Sequence, residues 1–202
     1  MLSPFNLRRA TFSIAVSVLL MTGCHPAMSA QTNARIEPPA QTHAVPLKFK
    51  QHNFEALCYS TIGCNVIYNN RYQTQHAPDE VSAPPKSSDY KKAWGSVEVG
   101  IDNFPPPAEV TWKSMDGVAH EATVDIGAIF KDELVWHAVR KADMADFYKG
   151  PVAGEPDIYL EVNDRTVNVY MAMFIPTKHE QIPGNKDSNF RKDVILAWSH
   201  TY

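Results

Sequence analysis

Glycine is scarce, at 9 of 202 residues, and no segment repeats, which excludes propellers and solenoids built from recurring units. No apolar run reaches the roughly 20 residues that cross a bilayer as a helix. Runs of Lys or Arg are also missing. With 19 basic against 22 acidic residues and a formal charge of −3, the chain lacks the clustered cations that neutralise phosphates, so nucleic acid is not an expected partner. No Gly-x-Ser-x-Gly elbow, Gly-rich phosphate loop or His-Glu-x-x-His helix occurs. The eight histidines are dispersed, and no second Cys or His pair stands at zinc-ligand spacing. His120-Glu121 and His179-Glu180 would project to opposite faces of a strand, wrong for a shared metal. Ser88-Asp89-Tyr90-Lys91 matches Ser-x-x-Lys, yet it lies in a polar loop without the companion motifs of penicillin-binding enzymes. No catalytic residue, metal or cofactor is assigned; the chain does not read as an enzyme.

What is present begins at the N-terminus. Arg8 and Arg9 precede an apolar stretch, Ala10 to Met21, that ends in Thr22-Gly23-Cys24. This is the layout of a secretory signal peptide, and its apolar part is too short to span a membrane. Cysteine directly after Thr-Gly resembles a bacterial lipobox, which implies lipidation of Cys24 and a leader over residues 1–23. Ordinary cleavage near Ala30 is the alternative. Export is expected either way. Removal of the leader leaves 179 residues, enough for one domain to bury a core of its own, with 17 basic and 22 acidic residues and a formal charge of −5. Such a charge favours a basic partner if charge matters at all.

Lipidation of Cys24 leaves Cys58 and Cys64 as an even pair in an oxidising compartment, where a disulfide is expected. Residues 24–46, rich in Ala, Pro, Gln and Thr, cannot bury enough apolar surface to fold and read as a flexible tether. Residues 47–202 form a single β-rich domain. Leu47–Tyr59 and Cys64–Tyr72 read as strands, and Gln73–Ser88, with three prolines, as a loop. Val97, Val99 and Ile101 alternate with polar or small residues, as in a half-buried strand. Val110 and Trp112 lead to Asp116-Gly117, a tight-turn dipeptide, and Ala122, Val124 and Ile126 return. A second hairpin spans Asp157–Phe174 about Asn163-Asp164. Lys141–Tyr148 reads as a short helix and Asp193–Trp198 as a last strand. The expected fold is mainly β, with α+β as the alternative: an antiparallel sandwich, or a sheet of hairpins with one short helix.

Four aromatic residues stand in or beside the loops: Tyr72, Tyr90 and Trp94 around the proline-rich stretch, and Phe104 before Pro105-Pro106-Pro107. Aromatic side chains anchor protein interfaces, which makes these four the candidate partner-binding residues. Packing of Trp94 and Phe104 on the core is the competing expectation.

The runs Pro107–Trp112, Asp116-Gly117 with His120, and Val124–Ile126, followed by Ile158–Val162 and Val167–Tyr170, resemble small lipoproteins found beside phospholipase effectors of type VI secretion systems. The resemblance implies a periplasmic immunity protein, anchored to a membrane only through lipid, that binds a lipase-type toxin and covers its catalytic mouth. It would be half of a toxin–antitoxin-like pair. His25, where an aspartate would signal inner-membrane retention, implies the outer membrane. A structural or assembly lipoprotein of the cell envelope is the alternative.

Overall fold

Alternating burial along consecutive strands builds two main sheets, beside a two-stranded ribbon, in a computed structural model, which describes Ile36, residues 47–145 and residues 155–202. The expected leader, Cys24, Ala30 and all of the expected tether except Ile36 lie outside the described residues, as do residues 146–148 of the expected helix Lys141–Tyr148. The strands are β1 (Gln51–Tyr59), β2 (Thr61–Tyr68), β3 (Arg71–Gln75), β4 (Glu98–Asp102), β5 (Ala108–Ser114), β6 (Ala119–Val124), β7 (Asp157–Asn163), β8 (Thr166–Ala172), β9 (Ile175–Pro176), β10 (Phe190–Arg191) and β11 (Ile195–Thr201). One helical turn, α1 (Ile126–Ile129), follows β6, with the Asp125 carboxylate capping the Ala128 N–H at 2.8 Å.

A five-stranded sheet has the order β11-β8-β7-β1-β4 and a four-stranded sheet the order β3-β2-β5-β6. All neighbours are antiparallel except β1 and β7, which run parallel. Phe54, Ala56, Leu160, Val162, Val167 and Val169 from the first sheet share one core with Val66, Tyr68, Val110 and Trp112 from the second. Phe54 and Tyr68 meet across it with ring centroids 4.3 Å apart. The protein is mainly β, a sandwich with only short helical turns. Ile36, although it stands in the expected tether, lies against this core.

The chain passes from one sheet to the other within a single residue. Ser60, between β1 and β2, takes a φ of +49°, and its N–H donates to the Ala83 carbonyl at 3.3 Å. Cys58 and Cys64 form the expected disulfide across this corner, Cα to Cα 6.4 Å. Among the described residues no helix is long and apolar enough to cross a membrane.

Four local expectations need correction. Cys64–Tyr72 is not one strand: Asn69 and Asn70 adopt φ of +50° and +57° and turn β2 back into β3. Asn tolerates this left-handed region because its short side chain bonds locally. Val97 and Val99 do not share the buried face of Ile101. Pairing of β1 with β4 shifts between His52↔Ile101 and Phe54↔Glu98, and Gly100 at φ +69° absorbs the extra residue. This bulge reverses the parity of the alternation. The Asp116-Gly117 turn is a four-residue loop, Met115–Val118, in which only Gly117 is left-handed. Lys141–Asp143 makes a single 3-10 turn.

Candidate functional site

The strands β7 and β8 are buried on both faces, so something covers the side of the five-stranded sheet that faces away from the core. Register places the outward residues in rows. Asn53, Asp157 and Ala172 form one, Glu55, Tyr159, Tyr170 and Leu196 the next, and Leu57, Glu161 and Asn168 a third. The cover is the 3-10 turn Tyr90–Ala93 with Trp94 behind it. Trp94 packs 5.2 Å from Tyr159 and 5.4 Å from Tyr170, centroid to centroid, and donates its indole N–H to the Tyr59 hydroxyl at 3.1 Å.

Beneath the cover Glu161 is only 1% exposed. A buried carboxylate must be hydrogen-bonded to persist, and three donors reach it: the Tyr90 hydroxyl, the Tyr170 hydroxyl at 3.0 Å and Asn168 Nδ2 at 3.0 Å. Burial and then the hydrogen bond to Glu161 push the Tyr90 hydroxyl well above the usual phenol range. Tyr170 is raised as well, by burial and then by the Glu161 charge.

In the first row Asp157 accepts from Ser96 Oγ at 2.7 Å, Asn53 Nδ2 at 3.1 Å and Lys192 Nζ at 2.6 Å. Burial, the largest single effect, would raise its carboxyl, but these three partners together hold it below the usual range. Glu55 sits beside it without such support. Its Oε2 is buried and, among the described residues, has no hydrogen-bond partner. Burial raises its pKa; the Gly95 N–H offsets part of this, and the Asp157 charge adds to it.

Around these acids the same face exposes large apolar side chains. Glu98 lies opposite inward-facing Phe54, so Val97 and Val99 project outward, 76% and 68% exposed. Lys192, bound to Asp157, also lies 5.0 Å from the Phe174 ring, and Phe174 packs on Phe190 at 4.9 Å. Those two rings are 52% and 39% exposed. Exposed apolar groups that share one face with polar neighbours mark interaction surfaces.

Of the four aromatic candidates, the structure brings together two. Tyr90 and Trp94 pack on each other at 5.6 Å, and Trp94 is buried, so it shapes the surface from below. Phe104 packs edge-on against Phe49 at 5.9 Å, at the inter-sheet core. Tyr72 is exposed on β3 of the other sheet. Sequence reasoning missed Val97, Val99, Phe174, Phe190, Glu55, Asp157, Glu161 and Lys192. Nothing in the sequence signalled the change of parity that turns Val97 and Val99 outward.

Two other groupings carry less. Ser114 Oγ bonds both Asp116 and, at 2.9 Å, His120 Nε2, but Ser114 is fully buried. Acid and imidazole share one oxygen here, whereas in a catalytic triad the acid orients the far nitrogen of the base. The cluster fastens the β5–β6 turn. A cleft of about 240 Å³ is lined by Val139, Arg140, Asp143, Thr177, His179 and Arg191, with Arg140 paired to Asp143 at 2.7 Å and Arg191 to Asp193 at 2.8 Å. Among the described residues no group of His, Cys, Asp and Glu could hold a metal ion. No protein-family model, curated protein or solved structure matches the chain.

Proposed function

We propose that this chain is a periplasmic, lipid-anchored immunity protein that binds a phospholipase effector of a type VI secretion system and blocks it sterically. The observation that carries the binding role is the outer face of the five-stranded sheet, where Val97, Val99, Phe174 and Phe190 surround a fixed acidic group. The expected leader, residues 1–23 ahead of Cys24, and the disulfide support the compartment; the resemblance of the hairpin sequences supports the kind of partner. Steric inhibition asks for a rigid surface and no chemistry, and a face pinned by Trp94, Tyr90 and Asp157 loses little freedom on binding. A lipid anchor at the outer membrane would concentrate the protein where a phospholipase attacks.

The test is a pull-down with residues 31–202 from extracts of cells firing their secretion system, read by mass spectrometry. A lipase-like effector in stoichiometric complex is the expected result. Recovery of envelope machinery alone would overturn the immunity reading in favour of a structural or assembly lipoprotein.

A further inference from the structure

Lys91 is held in an unusual way. It lies within the turn that covers the sheet, and its Nζ stands 4.4 Å from the Tyr90 ring centroid, 5.2 Å from that of Tyr170 and 5.8 Å from that of Trp94. The next residue, Lys92, pairs with Asp89 at 3.2 Å; among the described residues Lys91 forms no salt bridge. Its ammonium is accommodated by aromatic faces, whose quadrupoles attract cations within about 6 Å.

The walls are built before any ligand arrives. Trp94 meets Tyr90 at 77° and Tyr170 at 71°, so the rings form corners. The hydroxyls of both tyrosines are tied to Glu161, which fixes the rings and places a negative charge behind them. Tyr59 holds the indole N–H of Trp94. By contrast, the backbone bonds of the turn are local, Lys92 N–H to Asp89 and Trp94 N–H to Lys91. The Lys91 side chain, on a four-carbon stem and half-buried, can leave the rings while the walls stay.

We propose that Tyr90, Trp94 and Tyr170 form a binding site for an alkylammonium group, which Lys91 fills in cis. A primary ammonium is compact and strongly hydrated, so it leaves water at a cost. A quaternary ammonium is weakly hydrated and is the cation that aromatic cages recognise best. Such a group displaces Lys91 and takes its place between the rings. It comes either from a free amine or from the headgroup of a zwitterionic lipid. The site is independent of the immunity reading.

The experiment titrates tetramethylammonium chloride, against sodium chloride at equal ionic strength, into the purified protein and its Lys91→Ala and Lys91→Met variants. The readout is the indole N–H resonance of Trp94, assigned through Trp94→Phe. A saturable shift is expected in all three proteins, with an apparent Kd about tenfold lower in both variants, because removing a competitor that fills the site most of the time restores the competent fraction. Tyr170→Leu abolishes the shift and Tyr170→Phe, which keeps the ring, retains it. Phosphatidylcholine vesicles that sediment the Lys91→Ala protein, where phosphatidylglycerol vesicles do not, would identify a lipid headgroup; a tetramethylammonium shift without sedimentation identifies a free amine. Absence of a saturable Trp94 shift in the wild type and in both variants overturns the proposal. So does an equal Kd in all three.

Discussion

The Tyr90 hydroxyl donates to the carboxylate of Glu161, 71 residues further along the chain. This bond joins a proline-rich connection to the middle of a strand, and it turns a loop into a wall of the candidate site.

Removing one end of that bond is therefore expected to loosen the cover. Tyr90→Phe takes away one of three donors and costs about 1–3 kcal/mol, the penalty for an under-satisfied buried group. Glu161→Ala strands two hydroxyls and costs more. In the double variant the two losses add to less than their sum, because both act on one network. Urea denaturation of the four proteins checks this; a Tyr90→Phe effect below about 0.5 kcal/mol would place the bond among ordinary surface contacts.

The Cys58–Cys64 bridge closes a short loop at the corner where the chain changes sheets. Its removal by Cys58→Ser with Cys64→Ser lowers stability by about 2–3 kcal/mol through the freedom regained by the unfolded chain. For a domain of this size the Tm falls by roughly 5–10 °C. Thermal unfolding followed by circular dichroism measures it, and dithiothreitol should shift the wild type but not the variant.

A half-buried carboxyl and a buried imidazole give opposite pH signatures. The Glu55 carboxyl is raised in the fold, by burial and, despite partial relief from the Gly95 N–H, by the neighbouring Asp157. The native state thus binds its proton more tightly than the unfolded chain, and stability falls as pH rises from the unfolded value, about 4.3, through the native one. Glu55→Gln is expected to be more stable than the wild type at pH 7 by a few degrees in Tm, with the gap closing near pH 3.

His52, fully buried between Asn103 Oδ1 at 2.9 Å and the Tyr68 hydroxyl at 3.0 Å, is lowered by burial. Its contribution is present above the unfolded value, about 6.5, and is lost as pH falls through the window down to the native one. A Tm-against-pH series should show this loss in the wild type and not in His52→Gln, whatever the absolute stability of that variant.

How far the sequence carried these conclusions differs from element to element. The hairpins β5–β6 and β7–β8 were legible because one side chain in two is apolar and each pair brackets a turn-forming dipeptide. The disulfide followed from counting cysteines once residues 1–23 were read as a leader. The bulge at Gly100 was not legible, since a glycine between Val99 and Ile101 fits regular and irregular strands equally. Pairing of β1 with β7 joins segments about a hundred residues apart, and local pattern says nothing of it. The candidate site suffered most. Glu161 and Asp157 alternate with apolar residues and read as a wetted face, yet a loop that could be recognised only as polar and proline-rich folds over them. Tyr90 and Trp94 were found because aromatic residues in such a loop need somewhere to go.

The most direct test of the account is inhibition itself. A lipase captured by residues 31–202 in the pull-down is assayed on phospholipid vesicles while wild-type protein, or the Val97→Asp/Val99→Asp variant, is added. Both valines are largely exposed, so the variant should keep the wild-type Tm. The account predicts full inhibition near one equivalent of wild type and, for the variant, a requirement of at least about tenfold more protein, as expected when charge enters the apolar centre of an interface. Equal inhibition by the two proteins, or none by the wild type at saturating concentration, would contradict it.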